Sequence, residues 1–161
     1  MSLTVRAYRA ADAAALGRLF FDSVHRGTAS AYSQAQRIAW APAPPEGDAW
    51  AARLGEATTL VAEQDGAPIG FMSLTTAEAE VGLGLVDMAF VHPDHAGQGV
   101  ASALYAALEE AARRAGLSRL ETEASEIARP FFAAKGFMHI RAQQPVRRGV
   151  RLVNHRMGKT L

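Results

Sequence analysis

The stretch that most constrains this chain runs from Leu83 to Leu108, LGLVDMAFVHPDHAGQGVASALYAAL. An apolar run that reads as a buried strand ends at His92-Pro93, a loop with Gly97 and Gly99 follows, and a helix opens directly behind it. The glycines let the main chain come close to a ligand, and the helix N-terminus favours negative charge, so the unit is suited to phosphate. The Lys-Ser/Thr pair of a P-loop is absent, which excludes that class of nucleotide site. The dinucleotide fingerprint is excluded as well. Its third glycine is missing, and no acidic residue ends a strand about twenty residues on.

The length of 161 residues suits a single domain, 1–161, able to bury a sizeable core. A net charge of +1 gives no reason to expect a nucleic-acid partner. Without cysteine there is no disulfide framework, thiolate nucleophile or cysteine-based zinc site. The five histidines, at 25, 92, 95, 139 and 155, show no helical i, i+4 pair, so no metal is expected. MSLTVRAYRA lacks the apolar core of a signal peptide, and no stretch approaches a membrane span. The expectation is a cytoplasmic protein without a membrane partner.

Along the chain, 3–8 reads as a strand and Asp12 opens a helix through Val24, with Leu16, Leu19, Phe20 and Val24 facing the core. Residues 25–58 are less regular. Short helices are predicted over 32–40 and 48–54, with the proline-rich 41–47 between them. This insertion carries Tyr32, Trp40, Trp50 and His25 and is suited to wall a pocket. Segments 59–64 and 69–75 form a hairpin across the Asp-Gly turn at 65–68. The next strand spans 80–91, with Gly82 and Gly84 marking a bulge or close approach at its start. A helix over 99–115 packs through Val100, Leu104, Leu108 and Ala111, a strand covers 118–124, and a helix capped by Ser125 runs to Gly136, either kinked at Pro130 or beginning in earnest near Arg129. Segments 137–144 and 149–157 close the chain as a hairpin. The fold class is α/β, a mixed sheet covered by helices.

Ala96-Gly97-Gln98-Gly99-Val100-Ala101, after VHPDH and before Ser102, resembles the signature Gln/Arg-x-x-Gly-x-Gly/Ala of the GNAT superfamily of acetyl-CoA-dependent N-acetyltransferases, with Ala96 in place of the leading Gln or Arg. EASEIARPFFAAKGF, residues 123–137, resembles the same family's strand-to-helix segment, matching at Ala128, Phe131, Gly136 and Phe137, with Ser125 for Asn and Phe132 for Tyr. The opening, the ending and the segment with Tyr32, Gln36, Trp40, Trp50 and Arg53 are similar to one bacterial subgroup, the YafP-type acetyltransferases. The resemblance covers essentially the whole chain. It implies a mostly antiparallel central sheet splayed between its fourth and fifth strands.

It also implies roles. Acetyl-CoA as co-substrate would lie at the splay. The backbone of Gly97 to Ser102 would hold its pyrophosphate, Phe90 and Val91 would pair with its pantetheine arm, and an N–H near Ala89 to Val91 would polarise the thioester. Ser125, Ala128 and Phe132 would complete the cofactor site. The arginines 141, 147, 148, 151 and 156 read mainly as a solvated hairpin face, from which one could meet the 3′-phosphate of CoA. Asp87 is read as the general base because a carboxylate within an apolar strand, on one face with Leu85, Ala89 and Val91, is costly unless paired or used. Phe132 cannot donate a proton to the leaving thiolate, so Tyr32, His155 or water does so, or the thiolate leaves unaided. His25, Tyr32 and Trp40 are the acceptor-binding candidates. The expected activity is acetyl transfer to a primary amine of a small molecule or peptide by direct attack. The alternative is a catalytically weak CoA-binding sensor or partner module, suggested by Ala96 and Phe132. A homodimer is compatible with either.

Overall fold

The alternation of apolar residues in the strand segments places two hydrophobic sets on opposite faces of one sheet. In a computed structural model, which describes residues 2–161, that sheet has seven strands. β1 (Leu3–Ala7), β2 (Thr58–Gln64), β3 (Ala67–Thr76) and β4 (Leu83–Val91) form an antiparallel run. β5 (Arg119–Ser125) joins β4 in parallel, and β6 (Met138–Gln143) forms the far edge. A short ribbon, β7 (Val146–Arg147) and β8 (Val150–Arg151), precedes β9 (Asn154–Thr160), which inserts between β5 and β6. The helices are α1 (Ala13–Gly27), α2 (Gln34–Trp40), α3 (Gly47–Glu56), α4 (Val100–Arg114) and α5 (Arg129–Ala134). The central sheet is therefore mixed and mostly antiparallel, as expected.

α4 and α5 cover one face. Leu104, Leu108 and Ala112 of α4 pack on Ala62, Met72 and Val86 of the sheet. Gly70 of β3 makes room for α4, since a Cβ there would come within 2.9 Å of Val100 and 3.1 Å of Leu104. α1 and α3 cover the other face, where Leu16, Leu19, Trp50 and Leu54 pack on Val61, Phe71 and Met88.

Several local expectations are corrected. α1 continues to Gly27, and of the two readings of Pro130 the structure has the second: α5 begins at Arg129 with Pro130 in its first turn, where a missing N–H has no helical partner to lose. The inner face of α4 uses Ala112 and Tyr105 rather than Ala111. β4 starts at Leu83, and Gly84 marks a close approach, because a Cβ there would meet Leu117 at 2.7 Å. The expected closing hairpin forms, β6 pairing antiparallel with β9 in the main sheet, but its second strand is broken into β8 and β9, and the residues at its tip, β7 and β8, make a small ribbon outside that sheet.

A polar clamp ties the N-terminus to the first helix. Arg6 of β1 donates to both oxygens of Asp12 at 2.8 and 2.9 Å and to Glu63 at 2.9 Å, and Asp12 accepts from the Arg9 N–H. Asp12 is buried at 7% exposure. The Arg6 hydrogen bonds hold its carboxyl below its ordinary value, against the opposing effect of burial. A lowered folded-state value stabilises fully above the unfolded value of about 4 and is lost as the pH falls through the folded one. Asp12→Asn is expected to lower unfolding free energy near neutral pH by about 3 kcal/mol, because it leaves Arg6 partly uncompensated. Urea titration at pH 7 and pH 3 checks this, with the difference between wild type and variant shrinking at the lower pH.

Candidate active site

β4 carries an irregularity at its centre. Ser73 pairs with Met88 and the next residue, Leu74, pairs with Val86, so Asp87 is an extra residue with no partner on β3. The Ser73 hydroxyl accepts the Met88 N–H at 3.1 Å and holds the bulge in place. On an unbroken strand Val86 and Met88 would share a face. Here Val86 packs towards α4 and Met88 towards α1.

The bulge moves Asp87 off the face of Ala89 and Val91, which contradicts the buried carboxylate inferred from regular alternation. Asp87 is exposed, and Arg53 of α3 donates to its Oδ2 at 3.0 and 3.1 Å. Its Oδ1 has no hydrogen bond among the described residues.

Parallel pairing between β4 and β5 ends at Val86–Thr122, one residue before the bulge. Thr122 donates its hydroxyl proton to the Val86 carbonyl at 2.9 Å as the last tie. Beyond it the strands diverge. The His92 N–H bonds to Ile69, and the Phe90 carbonyl faces Gly70 on β3. Main-chain groups alternate along a strand, so those of Ala89 and Val91 point into the opening. Phe90, expected to offer its main chain there, contributes its ring instead.

Two cavities meet at this divergence. One, of about 410 Å³, is polar and lies between β4, β5 and the β7–β8 ribbon, with Asp87, Arg53, Thr122, Glu123 and Arg156 on its walls. The other is an apolar cleft of about 220 Å³ on the α4 side. Ala89, Val91, Ala96, Ala101, Ala128 and Phe132 line it. Phe90, Trp40 and Ser125 border both, so the sheet is open from one face to the other at this seam.

The cleft leads to the glycine loop. Gly97 and Gly99 have φ of +74° and +80°, and a Cβ on either would meet nothing within 4 Å. The first turn of α4 exposes the N–H groups of Val100, Ala101 and Ser102, since the first helical bond recorded is Ala103 to Gly99. Val100 gives only its main chain, because its side chain is buried under the sheet. Gln98 bonds to His95. An apolar slot, an open strand edge and a ring of free N–H groups fit an elongated ligand with an apolar arm and phosphates, as the acetyl-CoA expected from the resemblance has.

The other candidates divide. Ser125 sits at the seam and accepts the Ala128 N–H at 3.1 Å, so it caps the turn before α5 as well. Trp40 is at the seam. Tyr32 lines the polar cavity with its hydroxyl fully engaged, donating to the Val153 carbonyl and accepting from the Glu126 N–H. Burial raises its pKa.

His25 lines neither cavity. Its Nε2 is 2.7 Å from the Ala41 carbonyl and its ring stacks on Phe21. Trp50 is core, bonded to the Ala13 carbonyl. His155 is buried between His139 and Glu126, away from the seam. Arg147, Arg148 and Arg156 face the polar cavity, on the far side of the sheet from the phosphate loop, and so are not placed for a 3′-phosphate. Arg53 and Phe20 were not assigned from sequence. Their only signal was Arg53's place in the YafP-like segment.

A family model described as "Acetyltransferase (GNAT) domain" matches residues 28–159. The chain belongs to the GNAT acetyltransferase family. It is 30% identical over 156 residues to the N-acetyltransferase YafP of Escherichia coli, covering 97% of this chain and 95% of that protein. The crystal structure of a GCN5-related N-acetyltransferase from Rhodopseudomonas palustris superposes with a TM-score of 0.91 at 35% identity, covering 100% of this chain and 97% of that one. The yncA acetyltransferase of Salmonella typhimurium, solved with its cofactor acetyl-CoA, has the same fold with a TM-score of 0.75 at 22% identity over 100% of this chain and 95% of its own. Among the described residues no helix is long and apolar enough to cross a membrane, and no group of three or more metal-ligating side chains converges.

Gly99→Val tests the loop. It forces a β-branched residue into a left-handed conformation at the entrance to α4, a local strain of about 1–2 kcal/mol. It also places a side chain where the phosphates would lie. CoA affinity measured by calorimetry is expected to fall by more than about tenfold, or 1.4 kcal/mol, while the far-ultraviolet circular dichroism stays that of the wild type. Retained affinity would remove the loop from the binding site.

Proposed function

We propose that this acetyltransferase moves the acetyl group of acetyl-CoA directly to a primary amine that enters through the polar cavity, the acceptor being a small molecule or peptide. The observation that carries the reading is the seam. A cleft suited to the thioester and a cavity suited to a polar acceptor share one opening, beside a strand edge whose main chain is unpaired. That relatives of the same fold were solved with acetyl-CoA or CoA supports the assignment of the cleft.

Acetyl-CoA supplies an acetyl group activated as a thioester. The main-chain groups of Ala89 and Val91 pair with the pantetheine arm as an added strand, and one of these N–H groups donates to the thioester carbonyl as charge builds on its oxygen. Phe132 and Ala128 exclude water from the arm. The nitrogen forms a bond to the acetyl carbon as the carbon–sulfur bond breaks, and the amine gives up one proton. Asp87, with Oδ1 free, takes it directly or through one water.

Thiolate departure needs no strong acid, because a thiol has a modest pKa of about 8.5. The Tyr32 hydroxyl is a candidate acid on the cavity wall, but its proton is held by the Val153 carbonyl. Its role is to position the β8–β9 connection against the turn after β5.

Asp87→Asn is expected to lower kcat by about 10²–10³-fold on any amine that the wild type accepts, with acetyl-CoA affinity unchanged. Thiol release over an amine panel, alongside acetyl-CoA calorimetry, separates the readings. Tight acetyl-CoA binding by the wild type with turnover on no amine would favour the sensor alternative.

A further inference from the structure

The polar cavity contains four guanidinium groups and two carboxylates, and both carboxylates are paired. Arg53 holds Asp87, and Arg156 holds Glu123 at 3.1 Å. Arg147 and Arg148 have no carboxylate partner among the described residues. Arg148 donates to the Ala39 carbonyl, and Arg147 only to its neighbour Val146.

These two arginines are consecutive, at the turn of the β7–β8 ribbon, and no residue of the ribbon lines the apolar cleft. The ribbon is fixed in place over the cavity. Gln36 donates to the Arg151 carbonyl, Tyr32 to Val153 and Arg148 to Ala39, so three contacts join the ribbon and its flank to α2 and the turn before it. Two adjacent like charges held at one rim of a cavity with aromatic walls make a site for an anion, and the guanidinium fork matches a carboxylate.

Resting on the transferase reading above, we propose that the acceptor is a small amino acid with an apolar or aromatic side chain, its carboxylate bound by Arg147 and Arg148 and its amine directed to the seam. The cavity volume of about 410 Å³ suits such a molecule. Phe20, Tyr32, Trp40 and Phe90 offer its side chain apolar walls. The positive rim disfavours a bare ammonium ion, so an acceptor that brings its own carboxylate is bound where a simple amine is repelled. The same field favours the uncharged amine, which is the nucleophilic form. A protein lysine side chain or a peptide N-terminus has no α-carboxylate beside its nitrogen.

The test compares phenylalanine and leucine with phenylalaninamide and leucinamide in a thiol-release assay. The amides are more readily deprotonated, so basicity alone would favour them. The acids are expected to show kcat/KM at least about 30-fold higher, the scale of two charge-assisted hydrogen bonds. In the double variant Arg147→Gln, Arg148→Asn the acid-to-amide ratio is expected to fall to near one. Asparagine is chosen because residue 148 has φ +48°, which Asn tolerates. The single variant Arg147→Gln keeps the Ala39 tether and is expected to lower the same ratio partway.

A second arm needs no turnover. Calorimetry with CoA present compares N-acetylphenylalanine with its amide, and the acid is expected to bind at least about tenfold tighter in the wild type only. Equal rates and affinities for acids and amides, a variant that lowers both alike, or binding of neither acid overturns the proposal. Arginine-dependent binding of the acid with no turnover would instead sustain the anion site and overturn the transfer reading.

Discussion

The site depends on one extra residue in β4. Had the strand continued unbroken, Val86 and Met88 would face the same layer and Asp87 would join Ala89 and Val91 against α4. The bulge rotates the strand so that Met88 enters the layer under α1, Asp87 opens onto the polar cavity, and the main chain beyond it leaves β5. Ser73 and Thr122 hold this geometry from the two sides, one by accepting the Met88 N–H and the other by donating to the Val86 carbonyl. Both side chains are buried, so losing either would leave a main-chain group without its partner in a dry environment.

Everything chemical follows from that divergence. A continuous sheet would wall off the α4 face from the other face. The opening lets a cleft lined by Ala101, Ala128 and Phe132 communicate with a cavity lined by Asp87, Arg53 and Glu123. The walls come from distant parts of the chain. α2 supplies Trp40, α3 supplies Arg53, and the ribbon supplies Arg147 and Arg148, all arranged around strands 83–91 and 119–125. Tyr32 has a structural part in this arrangement, because its hydroxyl joins the β8–β9 connection to the turn after β5.

Local physics made much of this legible. The helix over 100–114, the glycine loop and the β2–β3 hairpin follow from periodicity and turn chemistry that operate within a few residues, although the turn is the two residues Asp65-Gly66 rather than the four expected over 65–68. The close main-chain approach expected at Gly97 and Gly99 is compatible with their positive φ values, a conformation that glycine adopts freely. Asp87 stands out in its strand by sequence, but its surroundings differ from those that regular alternation implies. A period of two cannot register a bulge, so the exposed, Arg53-paired carboxylate was read as buried. His25 is misplaced by sequence reasoning because an imidazole in an irregular segment has the same local pattern whether it faces a cavity or a carbonyl such as that of Ala41.

The sequence by itself therefore determined the kind of sheet, the helix that opens at the glycine loop, and the family signature in residues 96–101 and 123–137, because each rests on neighbours in the chain. Only the tertiary structure decided that the sheet parts at Val86–Thr122, that Phe90 turns its main chain to β3, and that the hairpin arginines face the polar cavity rather than the phosphate loop. Those outcomes depend on register shifts and on hydrogen bonds between groups 34 to 121 residues apart, such as Arg53 to Asp87 and Tyr32 to Val153. No spacing rule along the chain encodes contacts of that range, because packing and strand pairing select them together.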